Sequence, residues 1–147
     1  MVAVARQLIT KLRRDDFCIL HCKIEDVMDT QFTSAVSIHS YYAWPEPEAV
    51  LRHIHDLIIP GGMFVLATPN ENLDMPKLLS NASRELIAHP DYEEFVHYNL
   101  QLVENPNAKF TPLDTLVKQA HNVGFKIHEC HQRHYLGGVN FLLLEKA

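Results

Sequence analysis

The sequence predicts an α/β fold: a mostly parallel sheet with a C-terminal antiparallel hairpin and a helical insert. Three observations predict it. Short apolar runs alternate with helical periodicity along the chain. "MFVLAT" (63–68) is nearly continuous in apolar residues, as a strand covered on both faces requires. "FKIHECHQRHY" and "VNFLLLEKA" follow each other across "LGG", the pattern of a hairpin.

The elements follow in order. "MVAVARQLITKLRRDD" places Val2, Ala5, Ile9 and Leu12 on one stripe, with Leu8 beside them and Arg6, Gln7, Thr10, Arg13 and Arg14 opposite. This is an amphipathic helix already running at residue 1, closed by Asp15 and Asp16. "FCILHC" (17–22) reads as a buried strand and "KIEDVMDTQF" as an acidic loop. "SAVSIHS" (34–40) reads as a second strand. A helix opens at Pro47, with Glu46 and Glu48 at the positive end of its dipole. Val50, Leu51, Ile54, Leu57 and Ile58 make its core stripe, and Pro60, Gly61 and Gly62 end it. Residues 69–110 are more polar and carry two helices, about 76–88 and about 90–104. Tyr92, Phe95, Val96, Leu102 and Val103 share one side of the second. "TPLD" (111–114) starts a further helix, with Thr111 as cap and Pro112 at its first position, and Gly124 ends it.

The 147 residues suffice for one domain, 1–147, with one sizeable core. A net charge of −5 argues against a nucleic-acid backbone as partner, since such surfaces carry a basic face. The one basic cluster, Lys11, Arg13 and Arg14, reads as a solvated helix end. No apolar run is long enough to span a membrane. Cys18, Cys22 and Cys130 are odd in number and read as reduced thiols of a cytoplasmic protein, the first two buried.

Chemistry is expected in the loops that follow the two central strands, because open α/β sheets bind ligands at the carboxyl ends of parallel strands. Tyr41, Tyr42 and Trp44 crowd the first loop and Asn70 lies in the second. His39 ends a strand beside them. It suits a general base on an acceptor hydroxyl, but reads more readily as a packed, hydrogen-bonded histidine. On a strand, His128, Cys130, Gln132 and His134 share a face. Same-face neighbours stand nearly 7 Å apart, too far for one ion, so no metal site is expected.

The segment "SAVSIHSYYAWPEPEAVLRHIHDLIIPGGMFVLATPN" resembles class I S-adenosylmethionine-dependent methyltransferases of the small-molecule branch. "KIEDV" is similar to the acidic motif that faces the adenine in that family. "FTPLDTLVKQAHNVGFKIHEC" and "YLGGVNFLLLEK" are similar to its late helix, strand and closing hairpin. The resemblance implies S-adenosyl-L-methionine as cofactor and methyl transfer to an O, N or C acceptor. Ile24, Glu25, Ser37 and His39 would border the cofactor. Tyr41, Tyr42, Trp44, Asn70 and Tyr98 would shape the acceptor site, with His39 as the catalytic candidate. Glu25 is equally readable as a solvated loop acid. Two departures mark the match: Lys23 stands where many relatives place Asp two residues before Glu25, and Tyr42–Ala43 stands where many carry a His pair.

In the family a glycine-rich strand–loop–helix unit comes first, and "MVAVA" resembles the helix that follows it. Met1 would then be an internal methionine of a methyltransferase lacking its first half. The family's sheet order, 3-2-1-4-5-7-6, would leave the edge of "SAVSIHS" open. An open edge templates pairing. "FCILHC" is expected to move in beside it, or two chains to pair there as a homodimer or hetero-complex. The alternative to an enzyme is a methyltransferase-like remnant that binds a partner through this edge.

Overall fold

The computed structural model describes residues 2–13 and 16–147, so Met1, Arg14 and Asp15, each used in the reading above, lie outside the described residues. The chain divides into a unit up to Thr30 and a unit from Gln31 to Ala147.

In the first unit, helix α1 spans Val2–Lys11, and the Thr10 hydroxyl donates to the Arg6 carbonyl at 3.0 Å. Val2, Ala5 and Ile9 are half-buried, whereas Leu8 and Leu12 are exposed. Residues 17–22 correct the expectation of a buried strand. They are irregular, with Phe17 and Leu20 exposed. A short apolar run has no periodicity that separates strand from loop, and it becomes a strand only where a neighbour takes up its backbone groups. Cys18 and Cys22 are exposed rather than buried, as is Cys130. A single 3-10 turn, Ile24–Asp26, is closed by the Lys23 N–H donating to the Asp26 carboxylate at 3.2 Å.

The second unit holds β1 (Phe32–Ile38), α2 (Pro47–Leu57), β2 (Ile58–Pro69), α3 (Met75–Leu86), α4 (Tyr92–Glu104), α5 (Leu113–Val123), β3 (Phe125–Arg133) and β4 (Val139–Lys146). The strands form one sheet in the order β1-β2-β4-β3, which is the 4-5-7-6 portion of the family order. Among the described residues only β1 and β2 pair in parallel, so the expectation of a mostly parallel sheet is corrected. β4 runs against both its neighbours and sits between them, which makes two of the three pairings antiparallel. A hairpin whose second strand inserts into the sheet changes the pairing type of the strand it joins.

The core lies on one face of this sheet. Phe64 and Leu66 of β2 and Leu142 and Leu144 of β4 are fully buried against Val50, Leu51 and Ile54 of α2 and Leu116 and Ala120 of α5. α2 begins at Pro47, as expected from a proline in the first turn. β2 begins at Ile58, ahead of the expected Met63, and the register jumps from Phe32↔Ile58 to Ser34↔Met63. Gly62 permits this. A Cβ there would lie 2.8 Å from the Thr33 carbonyl oxygen and 2.9 Å from that of Ile59.

α5 starts one residue later than the "TPLD" pattern suggests. Pro112 is the cap residue and makes no side-chain cap bond, while the Thr111 hydroxyl donates to the Lys109 carbonyl at 3.4 Å. Gly124 closes the helix at φ 112°, its N–H donating to the carbonyls of Ala120 and His121. An added Cβ would meet His55 Nε2 at 3.2 Å. Gly124→Ala is therefore expected to cost about 1–2 kcal/mol through left-handed strain. Urea unfolding would show it as a lower midpoint at constant slope. A midpoint equal to wild type would contradict the left-handed cap.

A bulge between Ile127 and Glu129 also corrects the single-face reading of β3. His128 turns to the Glu145 carboxylate, and with Lys126 nearby this hydrogen bond holds that carboxyl below its ordinary range. Gln132 instead reaches Asn140 at 3.2 Å, and His131 stacks on Phe141. Among the described residues no three His, Cys, Asp or Glu side chains gather as metal ligands, and no helix is long and apolar enough to cross a membrane.

Candidate functional site

The carboxyl ends of β1 and β2 build the site. The His39 N–H donates to the Ala67 carbonyl at 2.8 Å, which extends the parallel ladder one step beyond Ile38. The His39 backbone then takes φ 53° and turns the chain out of the sheet. Left-handed conformations at non-glycine residues are uncommon and cluster at functional positions. Ser37 and Ser40 share a hydrogen bond of 2.6 Å between hydroxyls across this turn.

The aromatic loop splits between two destinations. Tyr41 points into the core, only 1% exposed, with its hydroxyl donating to Gln119 and its ring 5.2 Å from that of Trp44. Trp44 packs against the same core. Tyr42, one residue on, faces the other way and lines a cavity of about 330 Å³. A 3-10 turn, Tyr41–Ala43, separates the two side chains by about a third of a turn. The loop is held from behind by Lys109, whose N–H donates to the Tyr42 carbonyl at 2.9 Å.

The insert roofs the cavity. Asp74 caps α3, accepting from the Lys77 N–H at 3.0 Å. Met75, Leu78, Leu79 and Ala82 then form a wall at helical spacing. Phe95, Asn99 and Leu102 of α4 form a second wall. Tyr98 is 69% exposed and lies outside the lining, while its neighbour Asn99 is inside it. Tyr135 lines the cavity from the β3–β4 turn, its ring stacked on His39 at 5.6 Å. The residues His134, Tyr135 and Leu136 of that turn all have positive φ.

Asn70 does not line the cavity. It is fully buried and ties the site together. Its amide nitrogen donates to the Gly137 carbonyl at 2.9 Å and to Asn140 Oδ1 at 3.1 Å, and its oxygen accepts from the Asn72 N–H at 2.8 Å. The β2 end, the loop to α3 and the Tyr135 turn are thus joined by one side chain. Ile24 and Glu25 lie in the 3-10 turn of the first unit, both exposed.

Electrostatics leave the cavity neutral. Burial pushes the His39 imidazole below its ordinary value, so the ring is uncharged at pH 7 and remains a proton acceptor. Burial pushes the Tyr42 hydroxyl up, and Tyr98 adds to this, so it stays protonated. Tyr135 and the α3 wall escaped the sequence reading. The spacing of Met75, Leu78, Leu79 and Ala82 is visible in the sequence, but it reads as ordinary core until a cavity is seen beside it.

A family profile described as a methyltransferase domain matches residues 6–130. The chain belongs to this methyltransferase family. No curated protein sequence matches it. Among solved structures, the mitomycin 7-O-methyltransferase MmcR is 15% identical with a TM-score of 0.67, over 99% of this chain and 39% of its own. The magnesium protoporphyrin IX methyltransferase of Synechocystis PCC 6803 is 12% identical with a TM-score of 0.66, over all of this chain and 60% of its own. A methyltransferase complexed with the Haloferax volcanii Trm112 methyltransferase activator is 15% identical with a TM-score of 0.67, over 99% of this chain and 67% of its own. The chain thus spans about two thirds or less of the length of these structures. The Synechocystis structure holds S-adenosylhomocysteine, the product that remains after S-adenosylmethionine gives up its methyl group. S-adenosylmethionine is the methyl donor of the family.

Proposed function

We propose that this chain forms the acceptor side of an S-adenosylmethionine-dependent methyl transfer to a small molecule. The observation that carries the reading is the roofed cavity at the carboxyl ends of two parallel strands, with His39 at its floor and Asn99 in its wall. Here α3 and α4 exclude water from the acceptor. Neutral His39 accepts the proton of an acceptor hydroxyl. Ser37 and His39 border the cofactor, and Tyr42 and Asn99 border the acceptor. Tyr41, Trp44 and Asn70 hold these groups in place from behind.

The residues present do not make the glycine cradle that lets backbone approach the methionyl part of the cofactor. Gly62, Gly124 and Gly138 each pack against protein atoms, and Gly61, within β2, and Gly137, in the β3–β4 turn, take positive φ. In this reading the cradle comes from further polypeptide, either more of the same chain or a partner subunit. The bound cofactor would bring the reactive sulfonium methyl group.

A second reading, a partner-binding module without catalysis, draws on β1. It ends the sheet order, and its Val36 and Ile38 are 65% and 61% exposed. Unpaired strand edges are pairing templates. One matched methyltransferase is itself in complex with an activator protein.

Calorimetric titration of the chain with S-adenosylmethionine, with its mass in solution recorded alongside, separates the two readings. The expected result is saturable binding by an assembly heavier than the monomer. A folded chain that binds no cofactor in any assembly would overturn the catalytic reading and leave the module.

A further inference from the structure

We infer that the cavity selects an uncharged, ring-bearing acceptor that presents a hydroxyl, and rejects carboxylate and ammonium ligands of the same size. The inference rests on the acceptor-site reading above.

Three observations carry it. The first is the chemistry of the lining. Among the described residues its twelve lining side chains include no Asp, Glu, Lys or Arg. A ligand charge entering there would lose part of its hydration with no opposite charge to meet it, which is unfavourable. The second is the inventory of polar atoms. Asn99 donates one amide N–H to the Phe95 carbonyl at 2.7 Å, which leaves its Oδ1 as an acceptor and its second N–H as a neutral donor. The His39 ring offers one acceptor and one donor when neutral, and the Tyr42 hydroxyl offers both. Acceptors of this kind suit a hydroxyl hydrogen on the ligand, and the set contains no cationic donor for a carboxylate. Burial keeps His39 uncharged.

The third is shape. Rings stand on three separate elements: Tyr42 after β1, Phe95 on α4 and Tyr135 in the β3–β4 turn. Aliphatic side chains of α3 fill the space between them. About 330 Å³ is at the small end of the roughly 300–1,000 Å³ range of small-molecule sites, so a compact ring system fits and a nucleotide-sized molecule does not.

The test needs neither cofactor nor catalysis. The 147-residue chain is titrated at pH 7.5 with 2-naphthol, 2-naphthoate and 2-naphthylmethylammonium, following naphthalene fluorescence. Saturable binding of 2-naphthol is expected, with both charged analogues weaker by about tenfold or more. Ala82→Trp, which fills the cavity from the α3 wall, is expected to abolish 2-naphthol binding. Asn99→Asp places a carboxylate in the lining and is expected to reverse the order between 2-naphthol and the ammonium. Its circular dichroism establishes that the fold is kept.

Equal or tighter binding of either charged analogue to the wild-type chain would overturn the inference, and so would the absence of 2-naphthol binding. If 2-naphthol binds as expected while the chain never binds S-adenosylmethionine, the selectivity stands and the methyl-transfer reading falls. Cofactor binding together with a preference for a charged analogue would have the opposite meaning.

Discussion

Replacing Phe64 with alanine is expected to destabilise the protein by about 3–5 kcal/mol. Phe64 is fully buried at the centre of the sheet, on β2 between β1 and β4, with its ring 5.8 Å from that of Phe125. It belongs to the cluster formed with α2 and α5. Truncation removes the transfer free energy of the ring and leaves a cavity that a sheet held on both sides is poorly able to collapse. Domains of this size are stable by only about 5–15 kcal/mol, so the loss is a large share of the total. Urea unfolding followed by circular dichroism measures it. Phe32→Ala is the control: Phe32 is 41% exposed on the edge strand and is expected to cost about 1 kcal/mol or less. Equal effects at the two positions would show that the core does not lie on the α2–α5 face.

Asn70→Ala is the second large effect, expected at about 2–4 kcal/mol. The fully buried Asn70 side chain makes three hydrogen bonds, to Gly137, Asn140 and Asn72. Its removal takes a donor from the fully buried Asn140 as well as partners from the Gly137 carbonyl and the Asn72 N–H, and buried polar groups that lose partners are costly. The loss also reaches the cavity, because the same bonds fix the turn that carries Tyr135 over His39. A weaker affinity for 2-naphthol should therefore accompany the lower urea midpoint. Thr68, two residues earlier, provides the contrast. It is fully buried, and its hydroxyl has no hydrogen-bond partner among the described residues. Thr68→Val keeps the shape and removes the unsatisfied group, so it should be neutral or stabilising by about 1 kcal/mol. Destabilisation by Thr68→Val alongside tolerance of Asn70→Ala would overturn this description of the β2 end.

Sequence alone determined the elements whose signals are local. The stripe and opening proline of α2, the punctuation of α5 by Gly124 and the two helices of the insert follow from helical periodicity and backbone preference. These are properties of residues within a few positions of one another. The family resemblance was equally legible, because it lies in one continuous run from the second predicted strand through "MFVLAT". Of the candidate site, the loops after β1 and β2 and the position of His39 were readable for the same reason.

Tertiary structure decided which side each of these residues faces and what it meets. Tyr41 and Tyr42 are adjacent and chemically alike, yet one is core and the other lines the cavity. Tyr98 and Asn99 divide in the same way on α4. Asn70 became a structural tie because its partners lie about 70 residues away, in the β3–β4 hairpin. The sheet became mostly antiparallel because β4 inserted between β2 and β3, and residues 17–22 are irregular although their composition suits a strand. Periodicity specifies that a face is apolar, but it contains no information about which distant segment will cover that face. That pairing is settled only when the whole chain competes for the same core.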